Sequence, residues 1–275
     1  MVENYPANQI TDTDVEKIHK ADEYMRYNNN DQFYYKLVEL FKNYTNDKVS
    51  FDDKVDINCR ALTINEAIGN PKRTDYPLLR GKEVLLEADY KGFKGQAYTD
   101  KPSNFNGSIK EILNLDINKE TCRAILIATI NAVLRSLNNE IKTKHCKDEE
   151  PTECAKKICE FFLSNEYKKI LLIGFQPAIA DALKENFELI VLDRNEENIG
   201  KIKNGILIHD GYENNDLLYS KVNAALATGS TIVNGTIVGI IEKAKIYNKD
   251  LYFYGTTIAG ASLLLGLNRL CFNAH

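Results

Sequence analysis

The chain has 275 residues, of which 44% are hydrophobic and 27% are charged, proportions that suit a soluble protein with a substantial core. A net charge of −4 and a pI near 5.7 argue against a protein that binds nucleic acid or anionic membranes, and no apolar run approaches the roughly eighteen residues that span a bilayer. Because the N-terminus lacks the features of a signal peptide, we expect a cytoplasmic protein whose six cysteines are reduced.

The first half of the chain is predicted to mix helices with antiparallel strands. Apolar spacing and turn residues predict one or two helices within residues 12–43 with a break at 28–32, strands at 49–53 and 59–64, a hairpin of strands 84–90 and 93–99, a loop at 102–107 and a short helix at 109–113. Ser108 is in the position of an N-cap for that short helix.

A long helix is predicted at residues 121–137, and its apolar residues cover most of its circumference. A helix of this kind is usually buried on several sides. We therefore expect one face to pack on its own sheet and the other to pack against a second domain or, in a homodimer, a second subunit. Asn131 in the middle of this helix is then a buried polar group near the cleft that needs hydrogen-bond partners.

Residues 140–150 are polar and charged, which predicts a boundary between domains of residues 1–144 and 145–275. In the second domain, short apolar segments alternate with helical patterns, as is typical of a parallel sheet covered on both faces. The predicted strands are residues 169–173, 187–192, 205–209, 224–227 and 251–254, and the predicted helices are residues 152–163, 178–184 and 237–246.

Residues 228–236, with the sequence TGSTIVNGT, lie between a predicted strand and a predicted helix. Glycine allows the backbone to approach a ligand, and hydroxyl and free N–H groups at a helix start bind carboxylates or phosphates. An N-cap role for one hydroxyl would not explain the poor helix formers in the following turn. This 228–236 loop therefore predicts a set of ligand-binding residues, namely Thr228, Gly229, Ser230, Thr231, Asn234 and Thr236.

The first crossover of the second domain is Gly174-Phe175-Gln176-Pro177. It takes the place of a dinucleotide-binding turn but lacks the G-x-G-x-x-G pattern. Gly174 allows a tight turn, and Pro177 can start the next helix. In a sheet of order 3-2-1-4-5, strands one and four flank the point where ligands bind, so this turn and the 228–236 loop are predicted to form one site.

Cysteine and histidine positions leave a metal site open. None of the cysteines has the C-x-x-C spacing of a structural zinc site, and Cys122, Cys159 and Cys271 are predicted core residues. Cys59 and the adjacent His145 and Cys146 could together supply thiolate and imidazole ligands to a soft metal ion.

Three segments together resemble one known family: the Gly174-Phe175-x-Pro177 turn, the 228–236 loop, and residues 128–134 with the sequence ATINAVL. The family is called the putative heavy-metal chelation domain, and the resemblance covers most of the chain from about residue 45 onward. It implies an enolase N-terminal-like α+β domain, here with an extra helical segment before it, followed by a Rossmann-like domain with a doubly wound, mainly parallel sheet. It also implies a ligand site between the domains and a role in binding a metal ion or metal chelate.

The sequence thus predicts a small-ligand-binding protein whose ligand, a metal chelate or a heterocycle, lies in the interdomain cleft. Gly174, Phe175 and Pro177 would shape the floor of the pocket. Asn131 or Glu66 would enter from the first domain, where the strand end at residues 96–100 could also face the cleft or equally lie on a polar edge.

Two other functions stay open. One is an enzyme that uses a nucleotide-type cofactor, NAD or S-adenosylmethionine, on a small heterocyclic substrate. Asp193 ends the second strand at a spacing that resembles the acid that binds ribose in doubly wound folds, although a solvated strand-end aspartate is the simpler interpretation. The other is a metallochaperone or sensor that uses Cys59, His145 and Cys146.

Overall fold

The computed structural model describes residues 30–52, 57–80, 83–212 and 215–275. The helical prediction for residues 12–29 therefore lies outside the described residues. The predicted break at residues 28–32 is wrong where it can be compared, because helix α1 (Asn30–Thr45) begins inside it. This helix buries Phe33, Tyr34, Leu37 and Phe41 along one face.

The first part of the chain forms an antiparallel sheet in the order β3-β2-β1-β4. Its strands are β1 (Ile57–Ala61), β2 (Val84–Tyr90), β3 (Phe93–Thr99) and β4 (Phe105–Gly107), and the helices of this part are α2 (Ile64–Ile68), α3 (Ile109–Leu113) and α4 (Glu120–Leu137), with a 3-10 turn at Pro77–Arg80. The predicted hairpin is confirmed, since β2 pairs with β3 through a turn in which Gly92 donates its N–H to Asp89.

The second part forms a mostly parallel sheet in the order β10-β9-β5-β6-β8-β7. Its strands are β5 (Lys169–Ile173), β6 (Glu188–Asp193), β7 (Ile202–Lys203), β8 (Ile206–Asp210), β9 (Ala224–Thr228) and β10 (Asp250–Tyr254). Its helices are α5 (Glu150–Ser164), α6 (Pro177–Lys184), α7 (Asp216–Ser220), α8 (Thr231–Asn234), α9 (Ile237–Ile246) and α10 (Ala259–Leu265). The parallel strands, taken in chain order, have the predicted 3-2-1-4-5 arrangement, and β7 adds an antiparallel edge. The mixed α/β class is confirmed.

Two short predictions in the first part are wrong. Residues 49–52 do not form the predicted strand, because they follow the turn that ends α1, where Lys48 and Val49 both donate to the carbonyl of Thr45. Their apolar side chains, Val49 and Phe51, pack against the core from a loop instead. The predicted loop at 102–107 contains β4, which pairs with β1 at the edge of the sheet.

Helix α4 lies at the centre of the molecule. Every residue from Ala124 to Leu134 is buried, so the expectation of a helix covered on several sides is confirmed. One side packs on β2 and β3 so closely that a Cβ on Gly95 would lie 2.1 Å from the backbone nitrogen of Ala132. The other side contacts α8 and α10. Because the same chain covers both faces, this helix gives no reason for a second subunit.

Asn131 joins α4 to both parts of the chain. Its amide nitrogen donates to the carbonyls of Gln96 (2.9 Å), Thr256 (3.2 Å) and Thr257 (3.1 Å), and its amide oxygen accepts from the N–H of Gly260 (2.7 Å). The side chain is fully buried, as predicted. A second bond crosses at the same place, where Tyr98 N–H donates to the Thr257 hydroxyl at 3.0 Å.

The apolar core continues across the predicted boundary at residue 144. One cluster contains Leu37 and Ala128 from the first part together with Ile237 and Leu265 from the second. The division into two domains stays a prediction. Among the residues that the structure describes, no helix is both long and apolar enough to cross a membrane.

Replacing Asn131 with leucine should destabilise the fold by at least about 3 kcal/mol, because several buried backbone groups would lose their partner and each costs about 1–3 kcal/mol when unsatisfied. Urea unfolding followed by circular dichroism measures this change. Asn139→Leu is the control: Asn139 is exposed just beyond the same helix, and its substitution should change stability by no more than about 0.5 kcal/mol. Equal stabilities for the two variants would contradict the central role of the Asn131 amide.

Candidate ligand-binding cleft

A cleft of about 1300 Å³ opens at the carboxyl ends of the parallel strands. Residues that follow β5, β6, β8, β9 and β10 line one side. The opposite side comes from the end of β3, the segment before β2, the His145-Cys146 segment and the first turns of α5. The cleft therefore lies between the two sheets, at the edge of the parallel sheet where the strand order reverses and ligands commonly bind.

Gly174 and Thr228 lie side by side, as the predicted strand order requires. Gly174 follows β5 and Thr228 ends β9, and these strands are hydrogen-bonded neighbours. Gly174 has φ +91°, and a Cβ at this position would lie 2.7 Å from the Thr228 Cγ2 atom. The Tyr254 hydroxyl donates to the carbonyl of Gly174 at 3.0 Å, which ties the end of β10 to the same turn. Only glycine satisfies both the left-handed backbone and this close approach.

The 228–236 loop is held by its own polar groups. The Thr231 hydroxyl donates to the carbonyl of Thr228 (2.8 Å), and the Ser230 and Thr228 hydroxyls are 3.0 Å apart. Asn234 accepts from both the N–H (3.1 Å) and the hydroxyl (2.8 Å) of Thr236 through its amide oxygen. Among the described residues no group accepts from the Asn234 amide nitrogen, which leaves both of its N–H donors at the cleft wall.

Asp193 fastens the turn after β5 to the turn after β6. Its carboxylate accepts from the backbone N–H groups of Arg194 (2.6 Å), Asn195 (3.0 Å) and Phe175 (3.3 Å), and from the side-chain amide of Asn198 (2.6 Å). These bonds use the main acceptor positions of the carboxylate. Asp193 lines the cleft, but its carboxylate is engaged in shaping the turns.

Glu83 adds an acidic group that the sequence patterns do not indicate. It lies just before β2, lines the cleft and is only partly exposed. Burial raises the pKa of Glu83 to about 7, with further contributions from the nearby charges of Asp193 and Asp100. A carboxyl group that titrates near neutrality in a cleft can hold or release a proton at physiological pH.

Tyr98 and His145 form a polar pair on the same side of the cleft. The Tyr98 hydroxyl and the His145 Nε2 atom are 3.1 Å apart. Burial lowers the pKa of His145 to about 4, so the imidazole is neutral at physiological pH. Burial also raises the pKa of Tyr98 well above its ordinary value. For residues 96–100 the sequence leaves a cleft position and an edge position open; in the structure Tyr98, Thr99 and Asp100 line the cleft and Gln96 does not.

Three of the predicted ligand-binding residues do not line the cleft. Glu66 pairs with Arg60 (2.8 Å) and forms a capping box with Thr63 at the start of α2. Pro177 is buried in the first turn of α6. Asn131 is fully enclosed by the protein groups that it bonds, so it positions the cleft residues Thr256 and Thr257 without facing a ligand.

The predicted metal ligands Cys59, His145 and Cys146 are not brought together. Cys59 is fully buried on β1, in the core of the first part of the chain. His145 and Cys146 instead lie at the cleft. Within the ranges that the structure describes, no three histidine, cysteine, aspartate or glutamate side chains form a group that could hold a metal ion. All six cysteines are unpaired.

Comparison with known proteins supports the resemblance noted from the sequence. Residues 157–262 match the model of the DUF364 family, described as "Putative heavy-metal chelation". A protein of unknown function from this family in Desulfitobacterium hafniense is 13% identical, with a TM-score of 0.50 over 85% of this chain and 83% of that one. Another, from Pyrococcus horikoshii, is 18% identical, with a TM-score of 0.48 over 81% of this chain and 78% of that one. No curated protein matches the chain. The comparison with the Desulfitobacterium protein shows a shared fold and nothing beyond the fold.

The raised pKa of Glu83 should make stability depend on pH. Between its ordinary value of 4.5 and about 7, folded Glu83 keeps a proton that the unfolded chain has lost, so its contribution to stability decreases as pH rises through this window. Glu83→Gln should remove that decrease, measured as the free energy of unfolding at pH 5 and pH 7.5. Glu111→Gln is the control: hydrogen bonds from Ser108 lower the pKa of Glu111, which is ionised in both states across the window. An unchanged pH dependence in Glu83→Gln would contradict the assignment.

Proposed function

We propose that the protein binds a small polar organic molecule or a metal chelate in the cleft between the two sheets. The observation that carries this proposal is the convergence of polar groups on one large cavity. Asn234, Ser230 and Thr236 reach it from one side, and Glu83 and Tyr98 reach it from the other. Ligand sites are typically concave, with a few convergent polar groups among apolar walls.

The residues fit a chelate better than a bare ion. A bare ion requires several donor atoms of the protein within bonding distance, whereas the described residues contain no group of three suitable side chains. A chelate brings its own ligands and requires hydrogen bonds and volume. The cavity of about 1300 Å³ supplies the volume, and the loop amides and hydroxyls supply the bonds. The family description suggests that the bound molecule contains a heavy metal. In this proposal the metal is part of the ligand and is not a resident cofactor of the protein.

Each side of the cleft has a role in this proposal. Gly174 and Phe175 shape the floor, and the free amide donor of Asn234 binds an acceptor atom of the ligand. Glu83 donates a hydrogen bond when protonated and accepts one, or meets a cationic group, when ionised. The proposal includes the predicted division into domains of residues 1–144 and 145–275, and the ligand would lie between these two domains.

A second candidate is an enzyme that acts on a small heterocycle, and Glu83 is the observation that favours it. A carboxyl group with a pKa near 7 suits general acid–base chemistry. The nucleotide-cofactor form of this candidate is weakened by Asp193, whose carboxylate already accepts from four N–H groups and has little capacity left for ribose hydroxyls. For an enzyme, Glu83→Gln should retain ligand binding and lose turnover.

Substitutions of Asn234, whose side-chain amide is a free donor at the cleft, test the proposed ligand site directly. Small molecules and metals released from the purified, denatured protein are identified by mass spectrometry, for the wild type and for Asn234→Leu and Asn234→Asp. Aspartate keeps the acceptor for Thr236 and replaces the amide donor with a second, charged acceptor. Both variants should bind the ligand about 10-fold or more weakly, since a polar group left unpaired costs about 1–3 kcal/mol.

The control is Asn165→Leu, at the exposed end of α5 and outside the cleft, which should retain the ligand as the wild type does. Unchanged retention by Asn234→Leu would place the site elsewhere. A stoichiometric metal ion recovered without an organic companion would contradict the chelate.

A further inference from the structure

Arg194 is a cationic side chain at the cleft that has no acidic partner. Four basic side chains line the cleft among the residues that the structure describes. Lys101 and Lys243 each pair with a carboxylate, at 3.1 and 3.0 Å, and burial keeps His145 neutral. The Arg194 guanidinium forms no ion pair or hydrogen bond with any described residue and contacts the face of the Tyr212 ring instead. Its N–H groups are therefore available to a ligand.

The pair of Arg194 and Tyr212 is held in place by the turns that follow β6 and β8. The Arg194 Cζ atom lies 4.1 Å from the centroid of the Tyr212 ring, which is the geometry of a cation–π contact. The N–H of Arg194 donates to the Asp193 carboxylate at 2.6 Å, and the N–H of Tyr212 donates to the Asp210 carboxylate at 2.7 Å. A Cβ on Gly211 would lie 2.8 Å from the Asp193 carbonyl oxygen and 3.1 Å from the Arg194 Cγ atom, so glycine leaves the room that the arginine occupies.

The open edge of the guanidinium suits an oxyanion. Tyr212 covers one face of the group, and the N–H donors lie in its plane, where they can bond two oxygens of a carboxylate or a phosphate in parallel. The neighbouring Asp193 carboxylate does not compete, because it already accepts from four N–H groups. Glu196 and Glu197, which follow in the same turn, are exposed, and neither bonds the guanidinium.

We propose that Arg194, supported by Tyr212, binds an anionic group of the cleft ligand, a carboxylate or a phosphate. This inference rests on the proposed function and narrows its ligand to an organic acid or a phosphorylated molecule, free or as a chelate. The anionic end lies where β6 and β8 finish, and the rest of the molecule extends toward the Asn234 amide and Glu83. Because Glu83 and Asp100 repel an anion, charge fixes the direction in which the ligand lies.

The test is calorimetric titration of the purified full-length protein with two probes, inorganic phosphate and malonate, at low ionic strength. Wild type should bind at least one of them, and the tighter probe identifies the anionic group. Arg194→Gln should weaken that binding about 10-fold or more, because it removes a charge-assisted pair of hydrogen bonds. Tyr212→Leu should weaken it about 2- to 5-fold, as expected for loss of an exposed cation–π contact.

Arg60→Gln is the matched control. Arg60 is an exposed arginine outside the cleft that already pairs with Glu66 at 2.8 Å, so its substitution should leave the affinity for both anions unchanged. The Arg194 side chain has no hydrogen bond to lose within the described residues, and Tyr212 is 61% exposed, so both cleft variants should fold. Circular dichroism of each variant verifies the fold before titration.

Equal anion affinities for wild type and Arg194→Gln would overturn the inference, as would an equal loss in Arg60→Gln or a wild type that binds neither anion. If Asn234→Leu loses the co-purified molecule while Arg194→Gln binds anions as the wild type does, the proposed function stands and the anion site fails. Loss of anion binding in Arg194→Gln, with the co-purified molecule retained by Asn234→Leu, would support the anion site and contradict the proposed function.

Discussion

The buried amide of Asn131 fixes how the two sheets face each other. One side chain on the central helix bonds the middle of β3 through Gln96 and the segment after β10 through Thr256, Thr257 and Gly260. Both bonded regions run directly into the walls of the cleft. Because buried polar groups must keep their partners, the arrangement of the sheets cannot shift without a cost at this amide. The geometry of the cleft therefore depends on a residue that does not line it.

The two sides of the cleft differ in charge: one side is neutral and polar, and the other is acidic. On one side, the 228–236 loop presents hydroxyls and an amide that largely satisfy one another and leave a few free donors. On the other, Glu83 lies close enough to Asp100 and Asp193 for their charges to raise its pKa. A ligand with acceptors toward the loop and a cationic or proton-sharing group toward Glu83 matches this distribution.

Much of the fold follows from patterns in the sequence, because those patterns reflect local geometry. Alternation of short apolar strands with helices predicts the parallel sheet and its order, and hence the neighbouring Gly174 and Thr228. The apolar circumference of α4 predicts that Asn131 is buried. Glu66 caps α2 instead of entering the cleft, and the sequence carries this signal, since Thr63 and Glu66 have the spacing of a capping box. Glu83 could not be predicted, because its environment arises from segments that are distant in the sequence.

The most direct test of the central claim is a high-resolution crystal structure of the protein purified with its natural ligand, with anomalous scattering used to locate any metal. Ordered density for an organic molecule or a chelated metal should lie between the 228–236 loop and Glu83, within hydrogen-bonding distance of the Asn234 amide nitrogen. Ligand density bound anywhere outside this cleft would contradict the account.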